Sequence, residues 1–493
     1  IKKLLQLSRT YLNASRSEEA EKCSLKALAV ARPNDPQYAD ALIEWSASIG
    51  SQGEYERADS IAQLAIDLRR TLLGEDNIHY CGALLAAGAW QFQGGYTTKA
   101  INTLEECRSL WKKNNFDKPN LLVETLNYLG SCYYTVGKST EAEMCFKEAL
   151  AVRASFSGTN DNYFEDKIAF VEKSNLALIL IDNGRYTEAD EILSTIESNL
   201  FEEGLWEDVA YSDIYALKAK LLSAVNKNEE AIAAAKKGKA MVIKAFGPNN
   251  PYVFQYDNLM GMDLIQLGKP AEAIALYRAS LDSMKVLGGE NWVEYAGMTA
   301  VLPVCYINQH DYNKAIELYL ESVAYYESLG EGYELDLKQM YFGLVEAYMY
   351  TKNYAESAKY LEKFKSILVP DNLMDRGARI LQAKLAYFGK NYASVTPDVN
   401  NYVQTLTKQI SAEIFLFDDQ KRQSQAKDLQ SVTNDLCAFI QADALKKKMP
   451  KLIEIAIDFQ LFTKSILLTA TQKIRADILN GNDQTQKQSY AKW

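Results

Sequence analysis

The feature that most constrains this chain is a small residue that returns at a nearly fixed interval. Ala20, Ala58, Ala100, Ala142, Ala189, Ala231, Ala273, Ala315 and Ser357 each follow a Tyr-x-x or equivalent turn, at steps of 38, 42, 42, 47, 42, 42, 42 and 42 residues. A period of that size marks stacked units, none of which buries its apolar face alone. At 493 residues the chain exceeds what one compact core supports, and the repeat selects a solenoid over separate globular domains.

The clearest unit carries Leu126, Leu129, Gly130, Tyr133, Ala142, Phe146 and Ala149. Leu126, Leu129 and Tyr133 recur at helical spacing and form one apolar stripe. Gly130 and Ala142 are expected where two helices cross closely, and Gly137 supplies the left-handed residue that ends the first helix. The order large, large, small, aromatic, then small, aromatic, small resembles the tetratricopeptide pattern. Other units follow it: Leu42, Trp45, Ile49, Gly53 and Ala58; Leu176, Ala177, Leu180, Gly184 and Ala189; Gly261, Leu264, Gly268, Ala273 and Tyr277. In the eighth, Pro303 takes the small crossing position, so a kink or a shortened helix is expected. A tenth unit around Ala383, Tyr392 and Val395 is degenerate.

The 42-residue period is 8 longer than the usual 34 residues of such repeats. The extra length lies in longer helices and in loops such as Leu73–Asn77, Phe246–Pro251 and Leu287–Asn291. These end one helix with Gly and cap the next with Asn, Asp or Pro. In period and loop type the array resembles the long tetratricopeptide repeats of kinesin light chains and bacterial signalling proteins.

The register stops near Tyr402. Three helices are expected beyond it, carrying Val403, Leu406, Ile410 and Ile414; Leu429, Val432 and Leu436; and, from Pro450, Leu452, Ile455, Phe459, Phe462 and Ile466. Two stretches, Asp458–Leu468 and Ile474–Asp483, resemble the segment that joins a tetratricopeptide array to a caspase-like cysteine protease in CHAT-domain proteins. Ser465 and Ile466 stand where that segment commonly has Gly and Leu. The resemblance implies residues 1–401 as the array, residues 402–493 as a capping and linker region, and a protease domain in cis beyond Trp493. Within that linker, Phe459, Leu461, Phe462, Ile466 and Leu468 form the expected effector-coupling helix.

Little in the sequence points to chemistry. His79 and His310 lie in or near inter-helix turns, without the acidic or Cys neighbours of a metal or Cys–His site. Gly137-Lys138-Ser139 lacks a phosphate loop's spacing and preceding strand. Ser109-x-x-Lys112 lacks its companion motifs. No catalytic residue, metal or cofactor is expected. Net charge is −10, which argues against nucleic acid as a partner. Seven cysteines without a CxxC pair fit a reduced compartment. No apolar run reaches membrane-spanning length, and a cytoplasmic location is expected. Ile1 is not an initiator methionine, so an upstream segment is expected to have been removed.

The expected fold is therefore all-α: nine to ten helix pairs in a right-handed superhelix, with capping helices after them. In repeats of this kind the first helix of each pair lines the concave groove. Mapping those positions selects Asn127, Tyr134, Gln255, Asn258, Met262, Asn308, Phe342, Glu346 and Tyr350. Amides and rings together suit an extended peptide or protein segment. The expected function is a non-catalytic recognition scaffold that positions or regulates the protease. The alternatives are a peptide-sensing regulator of a kinase or transcription factor, and a free-standing adaptor.

Overall fold

The computed structural model describes residues 1–413, apart from 15, 115–118, 156–168, 206, 290–292, 330–333 and 368–372, and then 451–455 and 457–462. Among the described residues every element is helical. Ten pairs follow one another: α1 (Lys2–Asn13) and α2 (Ser17–Val30), α3 (Pro36–Gly50) and α4 (Tyr55–Leu73), α5 (Ile78–Gln93) and α6 (Thr97–Asn114), α7 (Pro119–Thr135) and α8 (Ser139–Ser155), α9 (Phe170–Asp182) and α10 (Tyr186–Glu202). Then come α11 (Asp213–Ala224) and α12 (Asn228–Phe246), α13 (Pro251–Gln266) and α14 (Pro270–Val286), α15 (Val293–Asn308) and α16 (Tyr312–Leu329), α17 (Glu334–Tyr350) and α18 (Tyr354–Ser366), α19 (Leu373–Phe388) and α20 (Tyr392–Glu413). The chain is a tetratricopeptide-like α-solenoid.

The register of the sequence is the register of the helices. Each of the nine recurring small residues is the fourth residue of the second helix of its pair, and all nine are fully buried, as is Val395 at the same place in α20. A residue one turn into the second helix faces the first helix, and a larger side chain there would push the pair apart. Ser357 keeps the position without an unpaired hydroxyl, because its Oγ donates to the Val345 carbonyl of α17 at 2.9 Å.

The turn chemistry also follows the residues. Gly137 sits at φ 77° after α7, a conformation that only glycine adopts at no steric cost. Asn77 and Asn250 cap α5 and α13, each accepting a backbone N–H two residues on, from His79 at 2.9 Å and Tyr252 at 3.0 Å. At Pro303 the structure differs from expectation in one respect. α15 runs unbroken through the proline, at the same 16 residues as α13, so the helix is not shortened.

The described residues divide into two compact units, Ile1–Asn183 with Glu188–Leu217, and Gly184–Thr187 with Lys218 onward. In the first, one core runs from α4 to α8 through Tyr80, Leu84, Leu104, Leu122, Leu126 and Leu129. In the second, one core runs from α13 to α16 through Phe254, Tyr277, Met284, Met298 and Tyr306. Each core spans more than one pair, the sharing of apolar faces that a solenoid requires.

Candidate functional site: the first helices of the pairs

Consecutive first helices touch one another, α5 against α7 and α7 against α9 in the first unit, α13 against α15 and α15 against α17 in the second. Their side chains at the groove register are therefore the surface that neighbouring pairs present together.

In the first unit the Asn127 amide nitrogen on α7 donates to Glu172 Oε1 on α9 at 3.0 Å. Arg153 of α8 donates to the same oxygen at 2.9 Å. Glu172 is fully buried, and a buried carboxylate is tolerable only when paired and hydrogen-bonded. The pairing is incomplete: neither Glu172 Oε2 nor Asn127 Oδ1 has a hydrogen-bond partner. One turn before Asn127 on the same face stands Glu124, half-buried, its carboxyl pushed above the usual range by burial. Tyr134, two turns further on, donates to Asp182 of α9. Burial and that carboxylate together push its phenol upward.

In the second unit Asn258 is half-buried on α13, its carbonyl oxygen without a hydrogen-bond partner. Its Nδ2 lies 3.4 Å from where a Cβ at Gly297 of α15 would sit. Gln255 is half-buried and Met262 exposed on the same helix. Asn308 is exposed at the end of α15, with its amide nitrogen on the Val304 carbonyl at 3.1 Å. Phe342 turns partly inward, edge-on to Phe364 of α18 with centroids 5.9 Å apart. Glu346 is half-buried. Tyr350 is 54% exposed, yet stacked on Tyr312 of α16 at 4.7 Å. The Tyr312 hydroxyl in turn lies 2.9 Å from His310 Nδ1. The expected groove residues thus fall two on α7 in the first unit and seven on α13, α15 and α17 in the second.

Of the expected coupling helix, residues 451–455 and 457–462 are helical. Leu452 and Phe459 are buried, whereas Ile457 and Leu461 are 51% and 61% exposed. Phe459 stacks with Phe462 at 6.4 Å. Ile466 and Leu468 lie outside the described residues, as does the helix expected around Leu429–Leu436.

Sequence reasoning missed the carboxylates Glu124, Glu172 and Asp182, which the structure sets beside Asn127 and Tyr134. For Glu124 on α7 the signal was available. α3, α5, α7, α13 and α15 contain no lysine or arginine, so an acid on such a helix must find a cation elsewhere or go without.

Among the described residues no group of three His, Cys, Asp or Glu could hold a metal ion. The Cys132, Cys145 and Cys305 thiols are each pushed up to about 12, in each case chiefly by burial. They stay protonated at neutral pH and are poor nucleophiles. No described helix is long and apolar enough to cross a membrane.

Comparison with known proteins agrees with the fold. A family profile described as the SusR N-terminal TPR domain matches residues 162–326, and a tetratricopeptide-repeat profile matches 50–79. A kinesin light chain-related protein of Arabidopsis thaliana is 26% identical over 166 residues, 34% of this chain and 24% of that protein. The chain thus spans about a quarter of the length of that curated relative. Among solved structures, a Rap protein complexed with Competence and Sporulation Factor superposes with a TM-score of 0.52 at 13% identity, over 74% of this chain and 96% of that one. A tetratricopeptide repeat protein from Parabacteroides merdae gives a TM-score of 0.40 at 18% identity, over 57% and 91%. The two repeat profiles and the Rap superposition define the class: a tetratricopeptide-like solenoid, a scaffold fold built for protein–protein interaction.

Proposed function

We propose that this chain is a non-catalytic recognition scaffold whose groove binds an extended peptide or protein segment. The observation that carries the reading is that Asn127 and Asn258, at the same register position of two first helices, each hold a buried carbonyl oxygen with no donor. A buried acceptor left unpaired costs about 1–3 kcal/mol. Neither oxygen is open to solvent as it stands, so each amide would turn outward to accept a backbone N–H of an extended ligand. The exposed Met262 and Tyr350 would bury that ligand's apolar side chains.

By its resemblance to the linker of CHAT-domain proteins, residues 402–493 would cap the array and couple it to a caspase-like protease domain in cis. The helical residues 451–455 and 457–462 suit that role, with Leu452 and Phe459 buried and Ile457 and Leu461 exposed. A second reading, a peptide-sensing regulator of a kinase or transcription factor, is favoured by the Rap likeness, since that protein is complexed with Competence and Sporulation Factor.

A random peptide library displayed on phage and selected on the whole chain tests the groove. Selected peptides should bind at least about tenfold more weakly to Asn258→Leu or Met262→Asp, a loss of about 1.4 kcal/mol. Binding untouched by both variants would remove the groove. Coupling is tested separately in the full-length protein, with Leu461→Asp and Leu468→Asp. Effector activity and ligand response both unchanged would leave this helix a cap and no more.

A further inference from the structure

The first helices α3, α5, α7, α13 and α15 carry acids but no cations, α5 alone having neither. The second helices α4, α6, α8, α12, α14, α16 and α18 each carry at least one lysine or arginine. Cations are thus absent from five of the ten first helices, whereas α1, α9, α11, α17 and α19 carry them, in a chain that holds 54 lysines and arginines. A low-dielectric cleft lined by one sign of charge focuses its potential on a ligand of the other sign.

On α7 that bias becomes a local arrangement. Glu124 and Asn127 are three residues apart and so share a helix face. Asn127 is bonded to Glu172, which is fully buried with Oε2 unpartnered. Arg153 occupies Oε1 and offsets one carboxylate. Glu124 makes no hydrogen bond or ion pair among the described residues, and only burial perturbs it. Glu124 and the Asn127 amide oxygen therefore share one face of α7, and among the described residues no cation pairs with Glu124. What is missing there is a group that is cationic, donates several hydrogen bonds and reaches inward on a long stem.

We propose that the α7–α9 stretch of the groove receives a lysine or arginine side chain of the bound peptide, with Glu124 as its ion-pair partner and the Asn127 carbonyl oxygen as a further acceptor. Glu172 stands behind them as buried negative charge. The inference rests on the peptide-binding reading and specifies its ligand: a basic segment rather than an acidic or neutral one.

The test uses the whole chain and the same displayed random library. Lysine or arginine should be enriched at one position of the selected peptides. Replacing that residue by norleucine, which keeps the stem and deletes the charge, should weaken binding about tenfold at low salt and much less at high salt. Glu124→Gln is close to isosteric, and circular dichroism checks that it folds. It should produce a similar loss, after which norleucine should cost little more, since the two changes remove one interaction. Norleucine peptides that bind as well as the originals, or losses that simply add, would overturn the proposal. If such peptides still lose binding on Asn258→Leu, the groove stands and only its basic ligand falls. If no library peptide binds at all, both readings fall together.

Discussion

The two units solve the same packing problem with different chemistry. In the first, the crossing glycines meet apolar side chains: a Cβ on Gly88 would lie 2.6 Å from Leu104 Cδ2, and one on Gly130 would lie 2.7 Å from Phe146 Cζ. In the second, Gly238, Gly261 and Gly343 meet Tyr256, Tyr277 and Tyr319, with Cβ approaches of 2.4, 2.3 and 2.3 Å. The first unit also buries ion pairs and amides. Gln91 and Lys99 donate to Asp59 at 2.8 and 2.7 Å, and Arg69 bridges Asp40 and the His79 carbonyl at 2.5 and 2.6 Å. A repeat thus demands a small residue against a large one at each crossing, and leaves open whether the large one has a polar tip. That freedom makes much of the sequence between register positions hard to read.

The sharpest way to break this contrast is to strip one cation from each unit. Arg153→Met leaves Glu172 buried, with the Asn127 amide as its remaining hydrogen bond. Lys239→Met removes the 2.5 Å pair to Asp257, but the Ser280 hydroxyl still donates to Asp257 Oδ2 at 3.0 Å, and Lys239 is a more exposed partner than Arg153, at 25% against 12%. We expect a loss of about 3–5 kcal/mol for Arg153→Met, as when a buried pair is broken, and roughly half that for Lys239→Met. Hydrogen exchange read helix by helix is the measurement, because a long array does not unfold as one cooperative step. Equal losses would mean that the two buried acids are held alike.

The crossings come next in size. Gly→Ala in an exposed helix interior gains about 1 kcal/mol. At Gly130 and Gly261 the added methyl meets a ring, so both should lose stability, by about 1–3 kcal/mol. Gly261→Ala should cost more. Tyr277 is fully buried and its hydroxyl donates to the Asn258 backbone carbonyl at 3.2 Å, so its ring cannot retreat without giving up that bond. Phe146 has no such tether. Lys138→Ala, on an exposed turn, serves as a control and should stay within about 0.5 kcal/mol. If Gly130→Ala proves the costlier of the two, the tyrosine crossings are looser than their distances imply.

How far the sequence could be read follows from the same contrast. Position four of the first nine second helices was legible because Ala, or Ser357, recurs there, the larger Val395 standing only in the degenerate tenth pair. Gly137 and the Asn77 and Asn250 caps were legible because few residues do what those turns need. Asn127 and Asn258 could be found by counting from the register. Glu172 could not, because its importance comes from burial against a helix 45 residues away, and a lone Glu in a first turn reads as an ordinary helix start. The persistence of α15 through Pro303 was equally hidden, since neighbouring helices on both sides can hold a helix that its own sequence would interrupt.

The smallest expected effect separates the units by pH. Burial raises the carboxyl pKa of Glu124 on α7 and of Asp263 on α13, the latter opposed by a hydrogen bond from Ser223. A raised folded-state pKa means that the folded chain binds the proton more tightly than the unfolded one. Stability then falls as pH rises through the window from the ordinary carboxyl value, about 4, to the folded value, and it is lower above that window than below it. Glu124→Gln should remove this slope for α7 and leave it for α13, and Asp263→Asn should do the reverse. Exchange rates of the two helices across the acid window, compared between variants, carry the answer. Because Asp263 is almost fully buried whereas Glu124 is half-exposed, the α13 slope should be the steeper unless the Ser223 bond cancels it. A flat profile for α13 beside a sloping one for α7 would show that one hydroxyl is enough to offset burial in the second unit, while the first leaves its acid waiting for a cation.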